Sequence, residues 1–221
     1  MIDKNVFRNL SYGVYLTTSY DENNKPVGCV TNSVMQITSE PSTIAVSINH
    51  ENYTNHCIMK NKKFAVAILP ETIQPSIIGT FGYQSSKNID KFGAIRYHYT
   101  NKLPIIEDAC GILICEVIDT METETHTVFL GRVILTEGYK KEIPMTYRYY
   151  HETLKGSSPK TAPSYIEEEQ KISTKTKYKC RVCGYVHEVD GELPDDYICP
   201  ICGQPKSAFD KIEETKEVTF S

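Results

Sequence analysis

"CRVCGYVHEVDGELPDDYICPICG", residues 180–203, carries four of the chain's eight cysteines. Cys180, Cys183, Cys199 and Cys202 form two Cys-x-x-Cys pairs, each followed at once by glycine. The spacing, C-x2-C-x15-C-x2-C, suits two tight knuckles that each present two sulfurs. Glycine accepts the positive φ that such a turn needs, which turns backbone N–H groups toward the thiolates. Four thiolates in a tetrahedron hold either zinc or a single iron, and spacing does not choose between them. So short a segment buries too little apolar surface to fold unaided. Metal binding, worth about 10–16 kcal/mol for zinc in such sites, makes up the deficit. The stretch therefore predicts a small metal module, and a chain of two unequal parts.

The chain has 221 residues, enough for one medium domain beside the module. It is 40% hydrophobic and 24% charged, with a net charge of -4 and no long basic run. A nucleic-acid partner is not expected, because phosphate contacts need a basic stripe. The opening MIDKNVFRNL lacks the apolar run of a secretory signal. FAVAIL (64–69) is far too short to span a bilayer. The expectation is a cytoplasmic protein with no membrane partner. Cys29, Cys57, Cys110 and Cys115 lie in apolar, strand-like sequence and read as buried small hydrophobes.

Upstream of residue 150, runs rich in Val, Ile, Thr, Tyr and Phe alternate with turn formers. They are VYLTTS (14–19), TIAVSI (43–48), FAVAIL (64–69), GILICEVI (111–118) and TVFLGRVIL (127–135). NYTNHCIMKN (52–61) reads as a helix and TIQPSIIGTFG (72–82) as a broken one. The pattern predicts a mainly β fold, an antiparallel sheet or barrel with helices packed outside. Residues 154–176 are rich in Gly, Ser, Pro, Thr and Lys and read as a connection with the tail of the first domain. A short helix is expected at YIEEEQ (165–170) within it. As a flexible chain this connection would span about 25 Å r.m.s.. The boundaries are then 1–153, 154–176, 177–212 and a charged tail, 213–221.

Residues around the knuckles resemble a rubredoxin. Tyr178 precedes the first knuckle and Cys183-Gly184-Tyr185 closes it. Cys199-Pro200-Ile201-Cys202-Gly203 makes the second, followed by Lys206 and Phe209. Tyr185, Tyr197 and Phe209 would form its aromatic core. The resemblance implies one iron, cycling between Fe3+ and Fe2+. The acidic stretch EVDGELPDD (188–196) is a solvated loop or a docking surface for a basic electron partner.

The longer part has no G-x-G-x-x-G and no GxxxxGK[ST], hence no Rossmann or P-loop signature. Other stretches resemble the flavin reductase-like, FMN-binding split-barrel family, flavoredoxin-like branch. They are GCVTNSVMQITSEP (28–41), SINHENYT (47–54), TFGYQSSKNIDKF (80–92), THTVFLGRV (125–133) and the segment 144–165. The resemblance departs at Ser86, where many members have glycine, and at Thr125, where an acidic residue is common. It implies an FMN-binding split β-barrel, a homodimer with FMN near the interface, and NAD(P)H as donor.

Candidate FMN contacts are Thr31, Asn32 and Ser33 after one strand, with hydroxyls and an amide for ring edges or ribityl oxygens. Asn49, His50, Tyr53 and Thr54 open a helix, whose N-terminus favours phosphate; Thr54 also reads as a plain helix cap. Gly82, Ser85 and Lys87 add a hydroxyl and a positive charge. His126 is the candidate catalytic residue, beside the flavin or the nicotinamide nucleotide. His56, His98 and His151 show no ligand spacing and read as surface or structural residues.

A flavin joined to an iron tetrathiolate has a simple logic. A hydride brings two electrons, iron takes one at a time, and a flavin converts between them. This arrangement resembles the high-molecular-weight rubredoxins, which pass electrons from NAD(P)H to flavodiiron proteins. Two other readings compete. One is a flavin reductase or flavoredoxin that supplies reduced flavin. The other is a ligand-binding barrel with a zinc ribbon and no catalysis.

Overall fold

The structure is a computed structural model, which describes residues 3–139, 142–154, 156, 158–159, 162–164, 176–189 and 191–212. The charged tail and the YIEEEQ stretch lie outside them.

Among the described residues, nine strands and three α-helices build the first part, after a 3-10 helix at Lys4–Asn9. The strands are β1 (Tyr15–Tyr20), β2 (Pro26–Thr31), β3 (Val34–Ser39), β4 (Ser42–Asn49), β5 (Lys63–Ile68), β6 (Tyr97–Thr100), β7 (Leu103–Ile106), β8 (Gly111–Glu122) and β9 (His126–Gly138). The helices are α1 (Tyr53–Asn61), α2 (Pro75–Tyr83) and α3 (Tyr147–Glu152). Seven strands form one antiparallel sheet in the order β2-β1-β5-β8-β9-β4-β3, and β6 pairs with β7. The sheet's two edge strands, β2 and β3, are consecutive in the chain, joined only by Asn32 and Ser33. So short a link forces the sheet to curl until its edges meet. Register shifts at Ile114/Cys115 and Val117/Asp119 coil the long β8–β9 hairpin further.

FAVAIL is continuously apolar because β5 is buried on both faces. Phe64 and Val66 join one core, with Val46, Ile58 and Phe129. Ala65 and Ala67 join the other, with Leu16, Phe81, Phe92 and Tyr150. Alternation along the strand assigns the residues to the two sides. Gly131 on β9 makes room for Phe64, since a Cβ there would lie 2.6 Å from the ring.

α1 matches the helix expected at 52–61. Its cap, though, is Asn52, whose Oδ1 accepts the Thr54 N–H at 3.0 Å. Thr54 is instead buried, with its hydroxyl against the Cys29 thiol. α2 is one unbroken helix, because Pro75 occupies its first turn, where a missing N–H costs nothing.

The module contains β10 (Thr176–Cys180), β11 (Val186–Val189) and β12 (Phe209–Ile212), paired in the order β11-β10-β12. Gly184 and Gly203 have φ of 73° and 69°, the left-handed geometry read from the knuckle pattern. Their N–H groups bond Cys180 O at 2.8 Å and Cys199 O at 2.9 Å. Tyr197 packs edge-on to Phe209, with ring centroids 5.3 Å apart, and Tyr185 joins the same cluster.

Candidate metal centre and flavin site

The four cysteines of the knuckles are almost fully buried, and their sulfurs all lie within 4.8 Å of one another. Cys180 and Cys202 are 3.5 Å apart at sulfur, as are Cys183 and Cys199. Metal–sulfur bonds of about 2.3 Å in a tetrahedron set sulfurs about 3.8 Å apart. The donor set therefore fits a single tetrahedral metal. A hydrogen bond from the Cys183 thiol holds Cys199 down to about 5, helped by the N–H groups of Cys202 and Ile201. Cys183 is pushed well above the ordinary thiol range, first by the hydrogen bond that keeps its proton and then by burial. Burial likewise pushes the Cys202 thiol up, and a metal ion bound here would displace the protons of its ligands.

Half of the acidic loop's described carboxylates are already engaged. Asp195 pairs with Lys206 at 2.8 Å and Glu188 with Lys177 at 3.7 Å. Glu192 and Asp196 are exposed. Asp190 lies outside the described residues.

In the first part, the segments expected to bind flavin meet around β2. Thr31 ends β2 and is buried, its hydroxyl 2.8 Å from that of Thr17. Asn32 is also buried, and Ser33 Oγ donates to its Oδ1 at 3.2 Å. Ser33 O accepts from Ser47 N at 3.0 Å, which ties this corner to β4. Asn49, at the end of β4, stands opposite His126, the first residue of β9. His126 Nδ1 lies 2.8 Å from Thr125 Oγ1. His50 extends from the same corner to Glu122 at 3.0 Å. Tyr53, half-buried, opens α1. The first-turn N–H groups of Thr54 and Asn55 are taken by Asn52 Oδ1 and Asn52 O. That leaves this helix start less open to an anion than its sequence implies.

Gly82, Ser85 and Lys87 lie on the other side of β2. A Cβ on Gly82 would sit 3.7 Å from Val30 Cβ, an ordinary contact. Ser85 Oγ accepts the Lys87 N–H at 3.3 Å, and the Lys87 side chain is exposed. Gly28 and Thr31 are three residues apart, so the two groups flank about 10 Å of strand.

Two residues of this segment carry structural roles that sequence reading missed. Ser86 Oγ lies 3.2 Å from both the N–H and the carbonyl of Gly28, capping the free edge of β2. A glycine at 86 has no hydroxyl for this. Lys91 is buried, with its ammonium donating to Gly28 O at 2.9 Å and Phe81 O at 3.3 Å. It also sits over the Phe81 ring, 5.4 Å from the centroid. Burial drives its pKa down to about 8.

The connecting segment adds a further contact that local pattern could not disclose. Asn32 Nδ2 donates to Ser164 Oγ at 2.8 Å, and Ser164 Oγ donates to Tyr147 OH at 2.8 Å. Tyr147 OH also bonds Ser158 Oγ. Ser158 and Ser164 of the connection are therefore fastened to the first part. His151, likewise, is a structural residue, its Nδ1 2.8 Å from Gly156 O.

The comparisons with known proteins agree with this architecture. The family model described as flavin reductase like domain matches residues 7–156, and the one described as rubrerythrin, rubredoxin-like domain matches residues 178–210. The chain belongs to the flavin reductase-like family and carries a rubredoxin-like domain behind it, the make-up of an electron-transfer oxidoreductase. Both parts recur together in the high molecular weight rubredoxin of Moorella thermoacetica, 36% identical over 96% of this chain and 100% of that protein. The ferric-chelate reductase (NAD(P)H) of Archaeoglobus fulgidus is 33% identical over 76% of this chain and all of its own. Among solved structures, the flavoredoxin from Methanosarcina acetivorans superposes with a TM-score of 0.58 at 24% identity, covering 64% of this chain and 75% of that one. That likeness establishes the fold. Flavin on the first domain and iron on the four cysteines follow from the two families.

Proposed function

We propose that the chain oxidises NAD(P)H through FMN and passes single electrons, by way of the four-cysteine iron, to a separate acceptor. A flavodiiron oxygen or nitric oxide reductase is the acceptor we favour. The observation that carries this reading is the four-sulfur site itself: it has metal-ready geometry and packs directly on the flavin reductase-like domain. Tyr83 of α2 and Leu154 lie in the same apolar cluster as the four cysteines. The two cofactors would supply the conversion of a two-electron hydride into one-electron steps.

The residues have distinct tasks in this account. Thr31, Asn32 and Ser33 offer hydroxyls and an amide to the flavin ring and ribityl chain. Asn49, His50 and Tyr53 line the neighbouring corner, whereas Thr54, buried with its hydroxyl against the Cys29 thiol, drops out of the set. Gly82, Ser85 and Lys87 approach from beyond β2, where the exposed lysine supplies positive charge to a phosphate. His126 orients the nicotinamide nucleotide. Cys180, Cys183, Cys199 and Cys202 hold the iron. The domain boundaries at 153, 176 and 212 belong to the same proposal.

We favour a homodimer for a physical reason. Met35 and Met121 are 63% and 60% exposed and share one face of the sheet with half-buried Val128 and Leu130. An apolar face of that kind suits a second copy of the chain. A cytoplasmic site fits the four reduced cysteines of the first domain. Among the described residues, no helix is long and apolar enough to cross a membrane.

The test compares iron-loaded with zinc-loaded protein, since zinc has no redox chemistry. NADH should bleach the flavin in both forms, and only the iron form should reduce the acceptor. Equal acceptor rates would contradict the proposal and favour release of reduced flavin.

A further inference from the structure

Gly79 lies at the middle of α2. A Cβ built on it would fall 2.5 Å from Cys202 Cβ, 2.9 Å from Cys202 Cα and 3.2 Å from Ile201 O. Two of these three atoms are backbone, so no rotamer change relieves the clash. The second metal knuckle therefore rests on bare helix backbone. One turn further along α2, Gly82 meets Val30 of β2. An α-helix with side chains is about 10–12 Å across, whereas its Cα cylinder has a radius of about 2.3 Å. Gly79 thus thins the helix where the knuckle meets it, while a Cβ on Gly82, about 60° round the same side, would make only an ordinary contact with β2. β2 ends at Thr31, within the proposed flavin site.

A second set of contacts supports the same seat. Tyr150 belongs to the first domain's core and is 3% exposed. Its hydroxyl is 3.2 Å from that of Tyr83. Tyr83 and Leu154 pack into the cluster that holds all four metal-binding cysteines. The seat is thus built from α2 and from the end of α3, two elements far apart in sequence.

We propose that Gly79 is a positioning residue for the metal: its missing side chain lets the second knuckle seat on α2 at Cys202 and so sets how near the four-cysteine site stands to the flavin domain. This rests on the reading under Proposed function. With both groups bound, the reduced flavin would supply one electron and the iron held by Cys180, Cys183, Cys199 and Cys202 would accept it.

A graded series, Gly79→Ala, Gly79→Val and Gly79→Leu, tests the proposal in the full chain. Hydrogen exchange on the zinc-loaded protein reads the docking without any redox step. Amides in 79–84 and 199–204 should lose protection progressively along the series while zinc remains stoichiometric. Anaerobic stopped-flow with NADH on the iron-loaded protein reads the consequence. The lag of ferric bleaching behind flavin bleaching should lengthen several-fold, and grow with side-chain size. A residue that merely stabilises the fold would not produce a graded lag. Leu154→Ser, which loosens the seat without touching α2, should lengthen the lag as well. Unchanged exchange, or an unchanged lag despite lost protection, would overturn the proposal. If NADH fails to bleach the flavin of the parent protein, the functional reading falls with the electron path built on it, and exchange alone then decides the docking seat.

Discussion

Replacing Lys91 by methionine should remove a pH dependence of stability that this buried lysine creates. Lys91 is 3% exposed and its pKa is lowered from 10.5 to about 8, chiefly by burial. Below pH 8 the lysine is protonated both folded and unfolded, and the full desolvation penalty weighs on the fold. Between pH 8 and 10.5 the folded protein loses the proton while the unfolded chain keeps it. Stability therefore rises with pH through that window. At 1.36 kcal/mol per pH unit, the gain is at most about 3 kcal/mol. The Gly28 and Phe81 carbonyls and the Phe81 ring favour the ammonium, so that figure is a ceiling. The assay is urea unfolding of zinc-loaded protein, followed by circular dichroism from pH 7 to 10.5, for the parent and Lys91→Met. Tyrosines and the other cysteines titrate in both chains and cancel in the difference; Cys29, whose thiol pKa burial raises and the Lys91 charge lowers, is replaced by alanine in both. The parent should gain stability relative to the variant as pH rises. Parallel curves would refute the reasoning and mean that the carbonyl cage fully offsets burial.

Three other outcomes are expected. Ser86→Gly leaves the outward N–H of Gly28 without its hydroxyl partner and should cost about 1–3 kcal/mol in denaturant unfolding. Gly131→Ala places a methyl 2.6 Å from the Phe64 ring and 3.0 Å from Cys115 Cβ, both fully buried. Overpacking there should cost about 1–3 kcal/mol and lower the melting temperature. Removing the metal with a chelator should unfold the module selectively, because binding contributes about 10–16 kcal/mol in comparable zinc sites. In an NMR spectrum the resonances of residues 176–212 should collapse, while those of the seven-stranded sheet remain dispersed.

The metal centre was legible in the sequence because all its information is local. Two pairs of cysteines, with glycine after each, specify the knuckle turns, and Gly184 and Gly203 adopt the positive φ expected. The strands were legible from β-branched runs between turn formers, and each of the five runs quoted lies largely within a strand. The apparent break in the helix at 72–82 came from treating Pro75 as an interior residue when it begins the helix. Contacts made across the fold left no such mark. Ser86 and Lys91 cap a strand edge 58 and 63 residues away, and Asn32 bonds a serine 132 residues away. Nothing in PSIIGTFG distinguishes Gly79 from a weak helix position until the metal knuckle is packed on it. The flavin contacts were read through family resemblance, and the structure gathers those segments around β2 without a ligand to rank them.

The most direct test of the central claim is a visible spectrum of the purified protein, reconstituted with FMN and iron, before and after anaerobic NADH. Overlapping flavin and ferric-thiolate bands should be present at first, and both should bleach. Flavin bands that bleach while the ferric-thiolate bands persist would contradict an electron path from nicotinamide through flavin to iron.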